Sequence, residues 1–453
     1  MKDLPKPRRL LPLCAMALAA AAIAASPPSK ARCIDEENIE NRIGTGVEPV
    51  PNEAAGPRMT LPELVKEAIR RSQAIGAAKL LAEAAISDAE EARVAGYPQA
   101  SLGSTLGTTG TSAVAGVPDV SGNQGRVSLS LNMPLFDGGR INRMAEWRKE
   151  LAEAARLGEL TAEEQIGLQT VSLVLERGRY RVQVQVYQQY ARKMSCLVQA
   201  LETIVSADKG RASELVQARK TLLQAELSQS QTVSAVKQIE VRLRRFVGDA
   251  LPASDAIANG LLKLPTLPEL MDEAERSSEI AQLDAQVQAG DSYARAVVAG
   301  QRPQVTWSMT GSKVKGIGSS NTWFAGVNIN VPLYNAGNDH SATAARKRAE
   351  ATRLQRADAL EARKFRIAEI HEQAVSAFDR ARRVTDVVRD SDRLRNFTLQ
   401  QWQQLGRRSL FDVMGSESEH YNLRVAYVNA LYDGQQATAL LWSLGSGVLS
   451  RLQ

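Results

Sequence analysis

An internal repeat limits the possible folds of this chain more than any other feature of its sequence. Residues 133–140 read Met-Pro-Leu-Phe-Asp-Gly-Gly-Arg, and a related octet, Val-Pro-Leu-Tyr-Asn-Ala-Gly-Asn, follows about 200 positions later at 331–338. The tetrapeptide Leu-Pro-Glu-Leu also occurs twice, at 61–64 and 267–270. Such self-similarity indicates two copies of one structural unit. The predicted division is a first repeat at 58–251, a linker at 252–267, a second repeat at 268–447 and a tail at 448–453.

Each repeat contains two segments in which apolar and polar side chains alternate, as they do in half-buried strands. In the clearest segment, Val127, Leu129 and Leu131 are separated by serines. The predicted strands span about 99–109, 125–134, 304–313 and 322–332. About ten residues is the length that a tilted strand needs to cross a bilayer. Taken alone, the alternation fits soluble hairpins and membrane strands equally well.

Long tracts without proline follow each strand pair. Proline is absent between Pro134 and Pro252 and after Pro332. Apolar residues in both tracts recur at alternating spacings of three and four, which is the heptad pattern of coiled helices. A glycine breaks each tract once, so the predicted helices span 141–209, 213–246, 338–405 and 409–444. The first would be about 100 Å long at 1.5 Å per residue. Two such hairpins on short connectors favour the membrane interpretation of the strands.

The N-terminus predicts export from the cytoplasm. Four basic side chains within residues 2–9 precede an apolar run at 10–25, which is typical of a secretory signal peptide. We predict a signal peptide at 1–25 and a flexible leader at 26–57. Neither Cys14 nor Cys33 follows the small residue that a lipoprotein signal would place before its cysteine, and the cysteines do not indicate a disulfide framework. No later apolar stretch reaches the roughly 18 residues of a membrane helix, so a span would consist of strands.

Charge and motif content argue against a nucleic-acid partner and against catalysis. The net charge of +6 falls to about +3 once the basic signal peptide is removed. His340, His371 and His420 are isolated from one another, and no glycine-rich phosphate loop follows a strand. We therefore predict that the chain is not an enzyme and that it uses no cofactor and no metal.

Four strands of membrane length cannot close a barrel by themselves. Open sheet edges are not tolerated in hydrocarbon, and small single-chain barrels begin at about eight strands. We therefore predict that several copies pool their strands into one barrel. Their helical hairpins would then form a tube that continues from the barrel.

The repeated strand end, Pro-Leu-aromatic-Asp/Asn-x-Gly leading into a long helix, resembles the TolC-type outer-membrane efflux family. The resemblance covers nearly the whole mature chain. It implies a mainly helical homotrimer in the bacterial outer membrane, with a twelve-stranded barrel, an α-helical barrel across the periplasm, and partners in a periplasmic adaptor and an inner-membrane transporter. The connector residues in this motif are Pro134, Phe136, Gly138, Gly139, Pro332, Tyr334 and Gly337.

The second hairpin tip resembles the family motif Gly-x-Arg-x-x-x-Asp-x-x-Asp. The motif aligns with Gly406, Arg408 and Asp412, whereas its second acidic position falls on Gly415. The resemblance implies that Arg408 and Asp412 form a periplasmic gate, with Glu417 as a possible substitute for the missing acid. Asp412 also fits a capping box that opens the return helix, and the sequence leaves both roles open.

Adaptor docking is implied for both tips by the same resemblance. The residues concerned are Gly210, Arg211, Gly406 and Arg407. The function that follows is export of protein or small molecules through an outer-membrane channel-tunnel. Lack of a lipidation cysteine favours type I secretion over a drug-efflux pump, since many dedicated pump channels are lipoproteins. The alternative from a different class is a soluble periplasmic coiled-coil scaffold or adaptor.

Overall fold

The computed structural model describes residues 59–111, 120–249, 260–405 and 407–452. The predicted signal peptide at 1–25, the leader at 26–57 and the first half of the linker, 252–259, lie outside these ranges. In the first repeat the elements are α1 (Leu61–Arg71), α2 (Gln73–Val94), β1 (Gln99–Thr111), β2 (Val120–Phe136), α3 (Arg140–Ala207) and α4 (Ala212–Val247). In the second repeat they are α5 (Leu267–Glu275), α6 (Ser278–Ala299), β3 (Gln304–Gly316), β4 (Ser320–Asn330), α7 (Gly337–Gln400), α8 (Leu410–Leu444) and α9 (Val448–Leu452).

The repeated Leu-Pro-Glu-Leu motif marks a helix start in both repeats. Thr60 is the N-cap of α1, and its backbone N–H donates to the Glu63 carboxylate over 2.7 Å in a capping box. Proline in the first turn costs no hydrogen bond, because the first amides of a helix have no partner within it. In the second repeat, Thr266 occupies the equivalent N-cap position of α5.

Helix α3 is the element against which most other helices pack. It has 68 residues, so it extends about 100 Å. Its half nearer the sheet contacts α2 and α6, and the rest contacts α4 and α8. Helix α7 is nearly as long, with 64 residues, and its buried positions follow the predicted heptad pattern: Ile367, Ile370, Ala374, Ala377, Ala381 and Val388. None of the described helices is both long and apolar enough to cross a membrane.

The four strands form one antiparallel sheet in the order β1-β2-β3-β4. The pairing of β2 with β3 joins the two repeats, and the register aligns Leu129 with Leu102 on one side and with Gly311 on the other. Alternation places most of the large apolar side chains on a single face, whereas Phe324 lies on the other. No described residue covers the following exposed residues of the apolar face: Leu102, Leu106, Val127, Leu129, Met309, Trp323, Val327 and Ile329. The mainly helical fold class with paired membrane-length strands is confirmed.

All four strands differ in extent from the sequence-based ranges, and two of the differences lie at the repeated prolines. Strand β4 ends at Asn330, because its partner strand β3 begins at Gln304, directly opposite. Pro332 therefore lies in an unpaired segment, where its lack of an N–H costs no ladder bond. Strand β2 instead continues through Pro134 to Phe136, with a shift of register at the proline.

One expectation about the cysteines is wrong. Cys196, the only cysteine within the described ranges, is disulfide-bonded. It lies in α3, about three turns from the end of that helix.

The connectors between strands and long helices are built around a capping side chain. Both carboxylate oxygens of Asp137 accept backbone hydrogen bonds, from Gly139 over 2.9 Å and from Ile141 over 2.5 Å. In the second repeat, the Asn335 side chain accepts from the Gly337 backbone over 2.9 Å. The repeated Asp/Asn position thus turns each strand into its helix by capping the first amides. The sequence analysis did not identify this role, although a short polar residue before a helix was the available signal.

Gly138 occupies a position that no other residue would occupy without strain. Its φ is +66°, and an added Cβ would lie 2.6 Å from the Arg302 Cβ and 3.0 Å from the carbonyl oxygen of Ala299. Gly139 also has a positive φ, of +85°, but has open space around it. The first connector therefore depends on glycine for both backbone conformation and close approach.

The continuous heptad of α7 should not tolerate a helix breaker. Ala377→Pro removes a backbone donor and clashes with the preceding turn, so we expect a loss of about 3 kcal/mol or more in the free energy of unfolding. Ala377→Gly serves as the control, with an expected loss of about 1 kcal/mol beyond the small cavity. Urea unfolding followed by circular dichroism measures both. Equal unfolding midpoints for the proline variant and the wild type would contradict the uninterrupted helix.

The connector geometry predicts a large effect of a single methyl group. Gly138→Ala combines a left-handed backbone with two close contacts, and we expect it to lower the free energy of unfolding by about 2 kcal/mol. Gly76→Ala is the matched control, because Gly76 lies in helix α2 with no atom within 4 Å of the new Cβ. That change should stabilise the protein by up to about 1 kcal/mol. The same measurement applies, and a Gly138→Ala variant as stable as Gly76→Ala would show that the connector is not constrained.

Candidate functional site at the hairpin ends

The first hairpin turns through a short 3-10 helix, Lys209–Arg211, between α3 and α4. Asp208 caps this turn, since its carboxylate accepts from the Gly210 backbone over 3.0 Å. Arg211 forms an ion pair with Glu214 at 2.7 Å. The two predicted docking residues of this tip are therefore held by local hydrogen bonds within one turn.

The second hairpin ends in a wider turn. Helix α7 passes into a π-helical segment, Gln401–Leu405, where the sequence predicted an α-helix up to 405. The Arg407 backbone N–H donates to the Gln401 carbonyl over 3.3 Å, which closes the widened turn. Gly406, the predicted break, lies outside the described residues. Arg407 and Arg408 are both exposed at this end.

The two tips pack against each other. The Arg211 guanidinium lies 5.9 Å from the centre of the Trp402 ring, so a cation–π contact joins the first tip to the second. Directly behind it lies an apolar cluster with members from α3, α4 and α8: Leu197, Val198, Leu201, Ala218, Leu410, Val413 and Met414. The described parts of both hairpin ends thus form one packed unit, and their polar side chains surround it.

Asp412 caps helix α8, which is one of the two roles predicted for it from the sequence. Its Oδ2 accepts from the Ser409 backbone over 3.1 Å and from the Ser409 hydroxyl over 3.0 Å, while its own N–H donates to the Ser409 Oγ over 3.2 Å. The residue is nevertheless exposed, and both of its side-chain bonds fall on the same oxygen. The capping role therefore leaves the other carboxylate oxygen available.

Arg408 does not pair with Asp412 in the described part of the chain. Its Nε donates to the Gln401 side chain over 3.2 Å instead. This bond links the residue before the return helix to the start of the π-helical segment. Arg408 thus bridges the turn through Gln401 and is itself exposed.

Glu417 is not a substitute for the missing acid at Gly415. It is only 1% exposed, and its carboxylate pairs with Arg395 at 3.2 Å and approaches Lys193 at 4.0 Å. Gly415 itself is exposed with open space where a side chain would be. Successive side chains on an α-helix are rotated by about 100°. Glu417 is two residues after Gly415, so its side chain points to nearly the opposite side of α8.

Glu417 instead belongs to a buried polar cluster between the two hairpins. Lys193 comes from α3, Arg395 from α7 and Glu417 from α8. Next to them the rings of Tyr190 and Tyr421 lie 4.9 Å apart, and burial raises the pKa of the Tyr190 hydroxyl. Charges this deeply buried are stable only when paired, so the cluster specifies how α3, α7 and α8 are positioned relative to one another.

Comparison with known proteins gives a consistent result. Residues 64–249 match the model of the outer membrane efflux protein family. The structure resembles CusC, a transmembrane channel protein, with a TM-score of 0.77 and 16% identity over 89% of this chain and 97% of that one. It resembles the outer membrane protein VceC of Vibrio cholerae with a TM-score of 0.73 and 17% identity, over 86% and 96% of the two chains. None of the curated proteins matches the sequence.

The outer membrane channel MtrE of Neisseria gonorrhoeae is a further structural relative. Its TM-score is 0.71 at 15% identity, over 86% of this chain and 90% of that one. The matched family and these structural relatives are described as outer-membrane efflux or channel proteins, which agrees with the predictions of an outer-membrane location and of a non-enzyme. Residues 64–249 match the outer membrane efflux protein family, and the described chain shares its fold with the outer-membrane channel structures named above.

Proposed function

We propose that this chain is one subunit of a trimeric channel-tunnel that exports substrates across the outer membrane when it is docked to a periplasmic adaptor and an inner-membrane transporter. The exposed apolar face of the four-stranded sheet carries this proposal. Its side chains include Leu106 at 84% and Trp323 at 78% exposure. A face of this kind is stable in contact with lipid, and the polar opposite face suits a water-filled interior.

Two free edges of the sheet support the trimer. Strands β1 and β4 each pair on one side only, so each leaves a row of unpaired backbone groups. In hydrocarbon these groups must be satisfied, and pairing β4 of one copy with β1 of the next satisfies them. Three copies would supply twelve strands and close the barrel.

The helices also leave apolar side chains for a second copy to cover. Helix α4 exposes Val216, Leu223 and Leu227, which are spaced by seven and four residues along one face. Helix α7 exposes Leu394 and Phe397 near its tip end. Packing of these faces between neighbouring copies would continue the barrel as a helical tunnel.

Type I secretion is the form of export that we favour, because neither Cys14 nor Cys33 has the context of a lipidation site. The drug-efflux alternative is supported by the description of the matched family as efflux proteins. At the tips, Arg211 and Arg407 present positive charge next to the packed unit, which suits docking to an adaptor surface of opposite charge.

The assembly can be tested by crosslinking the purified protein in mild detergent. We expect a predominant product of three copies, and stepwise conductance after addition to planar bilayers. Carbonate washing should leave the protein in the outer-membrane fraction. Release by carbonate would instead indicate a soluble periplasmic scaffold, and a folded monomer in membranes would contradict the shared barrel.

Deleting the gene for this chain and measuring secreted proteins and drug susceptibility tests which class of cargo the channel exports. Loss of a secreted polypeptide from the medium, with unchanged drug susceptibility, is the result expected for type I secretion. Raised drug susceptibility with a normal set of secreted proteins would assign the chain to an efflux pump.

The gate role of Asp412 predicts a change in ion selectivity. Threefold symmetry would bring three Asp412 carboxylates around one aperture, where they attract cations. We expect Asp412→Asn to lower the cation preference in planar bilayers, although asparagine still caps the helix. Asp390→Asn is the matched control, because it removes an exposed carboxylate from α7 about three turns before the end of that helix.

Arg408→Ser should raise single-channel conductance in the same experiment, since it removes the Arg408–Gln401 bond that closes the turn. If Asp412→Asn has the selectivity of the Asp390→Asn control, Asp412 is a helix cap alone. The channel assignment would be unaffected by that outcome.

A further inference from the structure

A pocket rich in arginine lies where the first connector meets helices α6 and α7. It has a volume of about 700 Å³, within the range of small-molecule sites. Five arginines line it, from α3, α6, the segment before β3, and α7, and we call it the arginine pocket: Arg143, Arg295, Arg302, Arg346 and Arg353. All walls come from a single chain.

Positive charge in the arginine pocket exceeds negative charge. Only two carboxylates line it, those of Asp291 and Glu350, and Arg353 binds both, at 2.7 Å and 3.2 Å. Arg143 pairs with Glu146 at 2.8 Å. The lining thus carries five positive charges against two negative ones.

The other three arginines have no carboxylate partner among the described residues. Arg295 donates to the Ser292 hydroxyl over 3.0 Å and Arg302 donates to the Gly138 carbonyl over 3.3 Å. Arg346 makes no hydrogen bond or ion pair to any residue that the structure describes. All three side chains are exposed. Their guanidinium groups are therefore available to an anion with several acceptor oxygens.

The pocket lies at the helix end of the sheet. Arg302 is two residues before β3, and Gly138 is two residues after β2. Apolar and aromatic side chains are exposed at the same end, including Leu333 at 92% and Tyr334 at 89%. A ligand with a charged head and an apolar tail would find both kinds of surface here.

We propose that the arginine pocket binds the phosphate of an anionic phospholipid, whose acyl chains lie along the apolar face of the sheet. This inference rests on the proposed function, which places that face in the membrane. Guanidinium groups bind phosphate through paired charge-assisted hydrogen bonds. The excess of positive charge selects an anionic headgroup over a zwitterionic one.

Native mass spectrometry of the full-length protein in detergent tests the proposal, with phosphatidylglycerol, phosphatidylcholine and inorganic phosphate as probes. We expect phosphatidylglycerol to be retained at about tenfold lower concentration than phosphatidylcholine. The double variant Arg295→Gln with Arg346→Gln should raise the half-saturating concentration of phosphatidylglycerol by about tenfold. Both residues are exposed, and neither has a carboxylate partner among the described residues, so the fold should be retained.

The matched control is Lys347→Gln with Arg348→Gln. These residues follow Arg346 in α7, do not line the pocket, and remove the same charge. The control should change phosphatidylglycerol retention by less than about twofold. Equal losses in both double variants would show a general electrostatic effect and overturn the site.

Binding of inorganic phosphate to the wild-type protein tests whether the arginine pocket binds a lipid or a free anion. If inorganic phosphate binds the wild-type pocket as tightly as phosphatidylglycerol, the acyl chains contribute nothing and the lipid assignment is wrong. Trimer mass and conductance are measured on the same preparation. A conducting trimer that retains no phosphatidylglycerol overturns this inference alone, whereas absence of a channel contradicts the proposed function.

Discussion

The pairing of β2 with β3 is the interaction on which the rest of the architecture depends. It runs from Gln124 opposite Gly316 to Phe136 opposite Val305, and it is the only strand pairing between the two repeats in the described sheet. Because the register aligns the ends of both strand pairs, α3 and α7 leave the sheet at the same end of its strands. The two hairpins are consequently nearly equal in reach, and their tips meet. A slip by one residue would turn the apolar side chains of one repeat to the polar face.

Polar interactions play different roles at the two ends of the helices. At the sheet end, Asp137 and Asn335 satisfy the first amides of α3 and α7, so a strand can turn into a helix within a few residues. At the tip end, Ser409 and Asp412 do the same for α8, and the Arg408–Gln401 bond closes a turn widened by a π-helical segment. The tip is therefore held by exposed polar bonds over a small apolar cluster. Such bonds contribute little individually.

The buried polar cluster around Glu417 lies between this tip and the rest of the helical bundle. Breaking a buried ion pair leaves an uncompensated charge and is strongly destabilising. The Glu417–Arg395 pair, with both residues 1% exposed, thus keeps α7 and α8 together at a level one to two turns behind Asp412. At the opposite end, the packing of Arg302 on Gly138 fixes the connector while leaving its guanidinium exposed to solvent.

Local features of this chain were predictable from the sequence, whereas features that depend on distant residues were decided by the tertiary structure. The period of the apolar side chains predicted the strands and the heptads, since pleat and helical turn act over a few residues. The capping box at Ser409 and Asp412 was predicted for the same reason. The end of β4 depends on where β3 begins, and the burial of Glu417 depends on Lys193 in another repeat, so neither follows from local pattern. The arginines of the pocket come from four segments that are spread over more than 200 positions of the sequence. They form one pocket only because α3, α6 and α7 come together beside Gly138.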